Sequence, residues 1–227
     1  DGYVAARRLA EQGWPVSVAA LAAPRPGGDE AAAAARWRGP VVPFTPQSAA
    51  AFDLVVDAVF GAGLSRDVAP DVVAVLAAAR RIVAIDMPSG VDGATGGVRG
   101  GAAQAGMTVT FCRLKPGHLL LPGRTLCGRV VLADIGIPES VIGGVAIRTW
   151  RNEPGLWRTP PCTVNSYKYS RGVVSICGGC EMPGAARLSA AGARAAGAGL
   201  VRLAVGDSAE VYRMPAPAGL IVASDPL

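Results

Sequence analysis

The feature that most constrains the fold is the apolar run Phe52–Phe60, which is rich in β-branched residues and ends at Gly61-Ala-Gly63. Such a run indicates a strand that is buried on both faces and leads into a tight loop. A helical pattern follows over Asp71–Ala79, and a second buried strand follows over Arg81–Asp86. Two buried strands joined by one helix predict a right-handed β-α-β unit, and therefore an α/β fold.

Further elements continue the same alternation. A helix over Tyr3–Gln12 is expected to end at Gly13, and the alanine run 31–35 predicts a second, short helix. Three more short apolar runs predict strands at Trp14–Leu21, Met107–Phe111 and Arg129–Ile135. With at least five such runs, we expect a sheet whose strands are mostly parallel.

The composition changes after residue 137, where prolines become frequent and periodicity is lost. We interpret residues 1–147 as one domain, 148–165 as a linker and 166–227 as the start of a second domain. In that last part, strands are predicted at Gly172–Cys177 and Leu200–Val205 on either side of a helix at Gly184–Ala198. This is too little sheet for a complete domain of the class.

The charge pattern argues against a nucleic-acid surface. The formal net charge of +5 comes from 22 basic and 17 acidic residues, with no stripe of aromatic residues between the arginines. A phosphate-bearing small molecule explains this charge equally well. Because no apolar run approaches the roughly 20 residues that span a bilayer, we expect no membrane association and a cytoplasmic protein.

The cysteines favour a reducing compartment, because an odd number of five does not indicate a secreted disulfide framework. The spacing Cys177-Gly-Gly-Cys180 permits two alternatives, a redox pair or half of a zinc site. No second CxxC accompanies it, and His118 is the only histidine.

The first candidate site combines Asp57, in the strand, with the loop from Gly61 to Asp67. The glycines allow backbone N–H groups to face a phosphate, and Arg66 adds positive charge. A glycine-rich connection without a ligand is the alternative. An acid in an apolar strand favours a site, because burying Asp57 without a cation or donor is costly.

The second candidate is Asp86, which leaves a buried strand into the loop Met87-Pro-Ser-Gly-Val-Asp92. We predict Asp86 as the general acid or base, with a pKa raised by partial burial. The alternative is that Asp86 only caps the following turn. Ser89 and Asp57 together offer an oxygen-lined site for a hard cation.

The third candidate is the basic loop Lys115-Pro-Gly-His118. A Ser-His-Asp triad would have to use His118, and no Gly-x-Ser-x-Gly elbow presents a nucleophile, so hydrolase chemistry of that type is not favoured. The absence of GxGxxG after the first strands likewise gives no support to ordinary hydride transfer.

Five motifs, in order, resemble the N-terminal domain of the bifunctional NAD(P)H-hydrate repair enzymes. They are Asp1-Gly-Tyr-Val-Ala-Ala-Arg7, Val56-Asp-Ala-Val-Phe-Gly-Ala-Gly-Leu64, Ala84-Ile-Asp-Met-Pro-Ser-Gly-Val-Asp92, Val109-Thr-Phe111 with Lys115-Pro-Gly117, and Ala133-Asp-Ile-Gly-Ile-Pro138. The tail resembles the start of the ADP-dependent dehydratase domain of the same family, which is ribokinase-like. Its matching segments are Lys168-Tyr-Ser-Arg-Gly172, Gly178-Gly179, Met182-Pro-Gly-Ala-Ala186 and Arg194-Ala-Ala-Gly-Ala-Gly-Leu200.

The resemblance implies a Rossmann-like three-layer αβα sandwich that epimerises R- and S-NAD(P)HX, followed by the beginning of a ribokinase-like domain. It implies potassium and, for dehydration of S-NAD(P)HX in the longer parent, ADP as cofactors, and a homo-oligomer. Asp57 and Ser89 would bind potassium, and Asp86 would contact the substrate and transfer the proton. The other residues implied to contact substrate are Gly61, Ala62, Gly63, Leu64, Ser65, Arg66, Asp67 and Ala185.

In the family an Asn- and Gly-containing loop precedes the segment that matches Asp1–Arg7, so we expect this chain to be part of a longer product. Two rival functions remain. One is a nucleotide- or partner-binding module that has kept the fold without catalysis, and the other is a small-sugar or vitamin kinase. Carboxylates at two strand ends favour the enzyme over the binding module. No full ATP site supports the kinase.

Overall fold

The computed structural model describes residues 1–213 and 216–224 and divides the chain into two compact units, Asp1–Thr149 and the remainder from Trp150 onward. Both units combine a parallel sheet with helices, so the predicted α/β class with parallel strands is confirmed. The linker boundaries at 148 and 165 stay a prediction. Within the described residues no helix is both long and apolar enough to cross a membrane.

The first unit contains a four-stranded sheet in the order β1-β2-β3-β4, with every neighbouring pair parallel. Its strands are β1 Val55–Asp57, β2 Ile82–Ile85, β3 Met107–Phe111 and β4 Arg129–Ala133. Its helices are α1 Gly2–Glu11, α2 Asp29–Ala34, α3 Pro46–Ala50, α4 Pro70–Ala77, α5 Gly123–Leu126 and α6 Glu139–Gly143, with a 3-10 turn at Pro116–His118.

The strand predicted at Trp14–Leu21 is wrong. This segment makes only an isolated parallel bridge between Val18 and Val41. The segments around the bridge contain Pro15, Pro40 and Pro43, which have no N–H to extend a ladder.

Helix α4 packs against strand β2 in the main hydrophobic core of the first unit. Pro70 at its first turn suits a helix start, because proline has no N–H to leave unsatisfied there. The buried residues of this core come from α4, β2, the loop before the helix and the loop before β3. They are Leu64, Val68, Val72, Leu76, Ile82, Ala84 and Ala105.

The second unit contains a three-stranded parallel sheet in the order β5-β6-β7. Its elements are β5 Val173–Cys177, α7 Pro183–Ala195, β6 Leu200–Ala204, a 3-10 turn at Gly206–Ser208, α8 Ala209–Arg213 and β7 Leu220–Ala223. Small residues of α7, Ala186 and Ala190, pack with Val201, Leu203 and Tyr212 in its core. The ribokinase-like assignment of this unit stays a prediction.

Candidate functional site

The carboxyl ends of β1, β2 and β3 lie at one edge of the sheet of the first unit. The register pairs Asp57 with Ala84 and Ile85 with Val109, so the loops after these strands start side by side. Open parallel sheets bind ligands at this edge. The predicted Asp57, Asp86 and Ser89 all lie at this edge.

Asp57 and Ser89 form a buried cluster of oxygen atoms. The Ser89 hydroxyl donates to Asp57 Oδ1 at 2.6 Å, and the Ser89 backbone N–H donates to Oδ2 at 2.7 Å. The backbone N–H of Phe60 donates to Ser89 Oγ at 2.9 Å, and the Phe60 carbonyl oxygen lies 3.4 Å from the same atom. The backbone N–H of Val59 also donates to Asp57 Oδ1, at 3.3 Å. Burial raises the pKa of Asp57, although the hydrogen bonds from Ser89 and Val59 oppose it.

Glycine fixes the loop that carries Ser89. Gly90 has a φ of +100°, and a Cβ there would lie 1.9 Å from the carbonyl oxygen of Gly101. A side chain is therefore excluded at this position. The Gly90 carbonyl in turn accepts the Arg99 N–H, which ties the loop to the segment that returns beside it.

Asp86 lies at the centre of a second cluster, with Lys115 and Thr110. Lys115 Nζ donates to Asp86 Oδ1 at 2.6 Å and to Thr110 Oγ1 at 2.8 Å, and the Thr110 hydroxyl donates to Oδ1 at 3.0 Å. The backbone N–H of Ala62 donates to Asp86 Oδ2 at 2.8 Å. The Asp86 side chain is one-fifth exposed, so a ligand can reach this cluster.

The expected rise in the pKa of Asp86 is wrong. Burial does raise the pKa, but the hydrogen bonds from Lys115, Ala62 and Thr110, together with the Lys115 charge, outweigh it. The pKa of Asp86 therefore lies below its ordinary value, and the group is an ionised carboxylate at neutral pH. The sequence pattern did not predict this contact, since Lys115 follows Asp86 by 29 positions.

The residues of the predicted loop Gly61–Asp67 fall into three groups by their surroundings. Gly61 and Ala62 lie against Asp86, where a Cβ on Gly61 would be 3.0 Å from Oδ2. The side chain of Leu64 packs in the core, so only the backbone of this residue is available to contact a ligand. The exposed members of the predicted set are Gly63, Ser65, Arg66 and Asp67.

Two residues at the site were missing from the predicted set. Thr110 is fully buried, and its position as a polar residue in an apolar strand was the available signal. Lys115 was noted only as part of a basic loop. Its precise partner depends on the tertiary structure.

Ala185 and the two spaced cysteines belong to the second unit. Ala185 is exposed on α7, and Cys177 and Cys180 are exposed free thiols on either side of Gly178-Gly179. Across the described residues, no three His, Cys, Asp or Glu side chains come together as a metal-binding group. The redox and zinc interpretations of the pair both stay predictions.

The fold and the strand-end carboxylates define an α/β protein with a ligand site at the carboxyl edge of a parallel sheet. The family model described as "YjeF-related protein N-terminus" matches residues 1–117. The chain therefore belongs to this family, and the resemblance inferred from the motifs is confirmed.

Relatives with named activities match beyond this range. The bifunctional NAD(P)H-hydrate repair enzyme Nnr of Mycobacterium tuberculosis (strain CDC 1551 / Oshkosh) is 43% identical over 170 residues, which are 71% of this chain and 34% of the relative. The enzyme of that name from Methanothermobacter thermautotrophicus is 33% identical over 236 residues, 96% of this chain and 44% of the relative.

A shorter relative, the NAD(P)H-hydrate epimerase of Lentilactobacillus buchneri, is 37% identical over 145 residues, 60% of this chain and 67% of the relative. By contrast, the chain spans about a third of the length of the first bifunctional relatives, with coverages of 34%, 34% and 32%. The first unit contains the matched family range and all the predicted site residues except Ala185.

Proposed function

We propose that the first unit is an isomerase that interconverts the R and S forms of NADHX or NADPHX. The observation that carries this proposal is the partly exposed ion pair of Asp86 and Lys115 beside the backbone of Ala62. The names of the bifunctional relatives and of the shorter epimerase support the substrate class.

Asp86 is the proposed catalytic base. Inverting a hydroxyl-bearing ring carbon next to the ring nitrogen requires the hydroxyl to lose its proton and become a carbonyl while the C–N bond breaks and the nitrogen takes the electron pair. The nitrogen then re-forms the bond on the other face of the carbonyl, and the oxygen regains a proton. An ionised carboxylate accepts the hydroxyl proton, and Lys115 compensates the charge when Asp86 is the anion. Thr110 completes the cluster by fixing the carboxylate oxygen that faces Lys115.

The Asp57–Ser89 cluster is the proposed potassium site. Its fit rests on the donor set, because a buried carboxylate, a hydroxyl and the Phe60 carbonyl supply only oxygen atoms. Asp57 has three hydrogen-bond donors, and no Lys, Arg or His of the described chain contributes to its pKa. A bound cation would neutralise this carboxylate and attract oxygen atoms of the substrate.

The exposed residues of the loop Gly61–Asp67 are the proposed contacts for the rest of the dinucleotide, with Arg66 as the cation for a phosphate. ADP-dependent dehydration is proposed only for a longer product, with Ala185 as its residue in this chain. We derive no step of that reaction from the second unit. We also propose that the protein forms a homo-oligomer and is located in the cytoplasm.

The test is chiral chromatography of purified R-NADHX incubated with the protein in potassium or sodium buffer. We expect equilibration of the two epimers faster than in buffer alone, with potassium more effective than sodium, and no acceleration by Asp86→Asn. The matched control is Asp53→Asn, which removes an exposed carboxylate of the same unit and should keep the activity.

Two results would count against the proposal. If the protein leaves the epimers at the buffer rate yet binds NADHX, it is a binding module with the family fold. If Asp86→Asn equilibrates them as fast as the unchanged protein, Asp86 is not the base.

A further inference from the structure

His118 is the buried side chain that connects the two charged residues of the site. It is 2% exposed and lies at the end of the 3-10 turn Pro116–His118, three residues after Lys115. Its Nδ1 accepts the backbone N–H of Lys115 at 2.9 Å, and its Nε2 lies 2.8 Å from the backbone carbonyl oxygen of Asp86. One imidazole therefore contacts the main chain of both members of the ion pair.

These partners determine the protonation of the ring. A carbonyl oxygen only accepts, so Nε2 must carry the hydrogen, whereas Nδ1 accepts an N–H and must be bare. His118 is thus a single neutral tautomer. Burial lowers its pKa, and the nearby Lys115 charge adds to this effect although the bond to the Asp86 carbonyl opposes it. With both nitrogens engaged and the ring buried, His118 cannot exchange a proton with a ligand.

The backbone of Asp86 needs such support. Its φ of +68° lies in the left-handed region, which costs a residue other than glycine free energy unless neighbouring contacts hold it. The Asp86 N–H donates to the Val109 carbonyl at 2.7 Å, and His118 supplies the bond on the carbonyl side. The carboxylate meets Lys115 Nζ at 2.6 Å only while this backbone conformation and the Lys115 loop both hold.

We propose that His118 is a positioning residue for the epimerisation, one that fixes the Asp86 backbone and the Lys115 loop so that carboxylate and ammonium stay aligned. The inference rests on the proposed function for its catalytic consequence. It assigns His118 no contact with substrate. The role differs from that of the histidine in a Ser-His-Asp triad, which the sequence does not favour.

Three substitutions of His118 distinguish its hydrogen bond to the Asp86 carbonyl from its hydrogen bond to the Lys115 N–H. His118→Leu removes both. His118→Gln keeps an amide N–H near the position of Nε2 and so preserves the donor to the Asp86 carbonyl. His118→Asn keeps an amide oxygen near the position of Nδ1 and so preserves the acceptor for the Lys115 N–H. The matched control is Thr108→Val, which loses a buried hydrogen bond to the Cys127 carbonyl on the same sheet without touching the pair.

The measurements are kcat and KM for NADHX epimerisation per folded molecule, and the acid limb of the kcat/KM profile against pH. Lys115 is the charged group in contact with Asp86 in the described structure, so a loosened pair lets the pKa of Asp86 rise and moves that limb to higher pH. We expect His118→Leu to lower kcat about tenfold or more, with KM within twofold. His118→Gln should recover most of the loss, and more than His118→Asn, because the unfavourable φ is at Asp86.

A purely structural role predicts a different result. His118→Leu would then lower the melting temperature as Thr108→Val does but keep kcat and the acid limb unchanged, and the proposal would be overturned. A carboxyl ¹³C NMR titration of Asp86 gives a second readout that needs no activity. If the unchanged protein is inactive but its Asp86 pKa still rises in His118→Leu, the epimerase function fails and the positioning of the pair by His118 stands.

Discussion

The ion pair of Asp86 and Lys115 should couple these residues far more strongly than an ordinary surface pair. Their side chains are 20% and 27% exposed, and the Nζ–Oδ1 distance is 2.6 Å. A hydrogen bond to a charged group contributes about 1.5–3 kcal/mol, whereas one to a neutral acceptor contributes about 1 kcal/mol. Replacing Asp86 by Asn keeps a neutral acceptor and suits the left-handed backbone, so the expected coupling free energy is about 1.5 kcal/mol.

The assay is a double-mutant cycle of Lys115→Met and Asp86→Asn, measured by urea unfolding. The buried Trp37 reports unfolding of the first unit by fluorescence. The matched control cycle uses Arg80 and Asp53, whose side chains are 67% and 82% exposed at 3.4 Å, and should give about 0–0.5 kcal/mol. A coupling for Lys115 and Asp86 no larger than this control would refute the argument that burial and geometry make the pair strong.

The pH dependence of this coupling has a defined sign. The pKa of Asp86 in the folded protein lies below the ordinary value of 3.8, since Lys115 and the other donors outweigh burial. The contribution of the ionised pair to the stability of the fold is therefore fully present when the pH is above this ordinary pKa. Its contribution is lost as the pH falls through the lowered folded pKa. A coupling that instead declined between pH 8 and pH 6 would contradict the ionised state of Asp86.

Three other changes have expected outcomes. Gly90→Ala should lower the free energy of unfolding by about 2 kcal/mol or more in urea, because a Cβ there meets a backbone oxygen at 1.9 Å and φ is positive. Gly63→Ala is its control and should change stability little, since its Cβ meets nothing within 4 Å. Thr110→Val should lower kcat about tenfold in the epimerase assay, because it removes one hydrogen bond to Asp86, worth about 1.5 kcal/mol. Iodoacetamide followed by mass spectrometry should spare Cys127, which is buried with a raised thiol pKa, and a rate equal to that of exposed thiols would exclude this burial. The thiols expected to react are Cys162, Cys177 and Cys180.

The central β-α-β unit was predictable because its signals are local. The helix Pro70–Ala77 and the strand Ile82–Ile85 bury residues at the period of their own element. The strand Val55–Asp57 also forms, but the expectation that it is buried on both faces is wrong, because it is the first strand of the described sheet and Leu54 and Val56 are exposed. Parallel strands then bring their carboxyl ends to one edge, whatever the exact bounds. For this reason the proximity of Asp57 and Ser89 followed from topology alone, before any distance was known.

The remaining details depend on contacts that no local pattern encodes. The segment at Trp14–Leu21 has strand-like composition, but a single bridge at Val18 is all that forms. Lys115 reaches Asp86 from a loop after the next strand, and together with the hydrogen bonds from Ala62 and Thr110 it lowers the Asp86 pKa that burial alone would raise. A prediction made from Asp86 alone considers only burial, and therefore gives the wrong direction for the shift of its pKa.

The two carboxylates show why neighbouring strand ends can serve different functions. Asp57 is buried with three hydrogen-bond donors and no contributing cation in the described chain, so its pKa is raised. Asp86 is partly exposed and paired with Lys115, so its pKa is lowered. Opposite shifts in two neighbouring acids separate their chemical functions. Asp86 meets a ligand as an anion with its counter-ion beside it, and is therefore in the form that can accept a proton. A buried carboxylate that still needs a positive charge suits a cation.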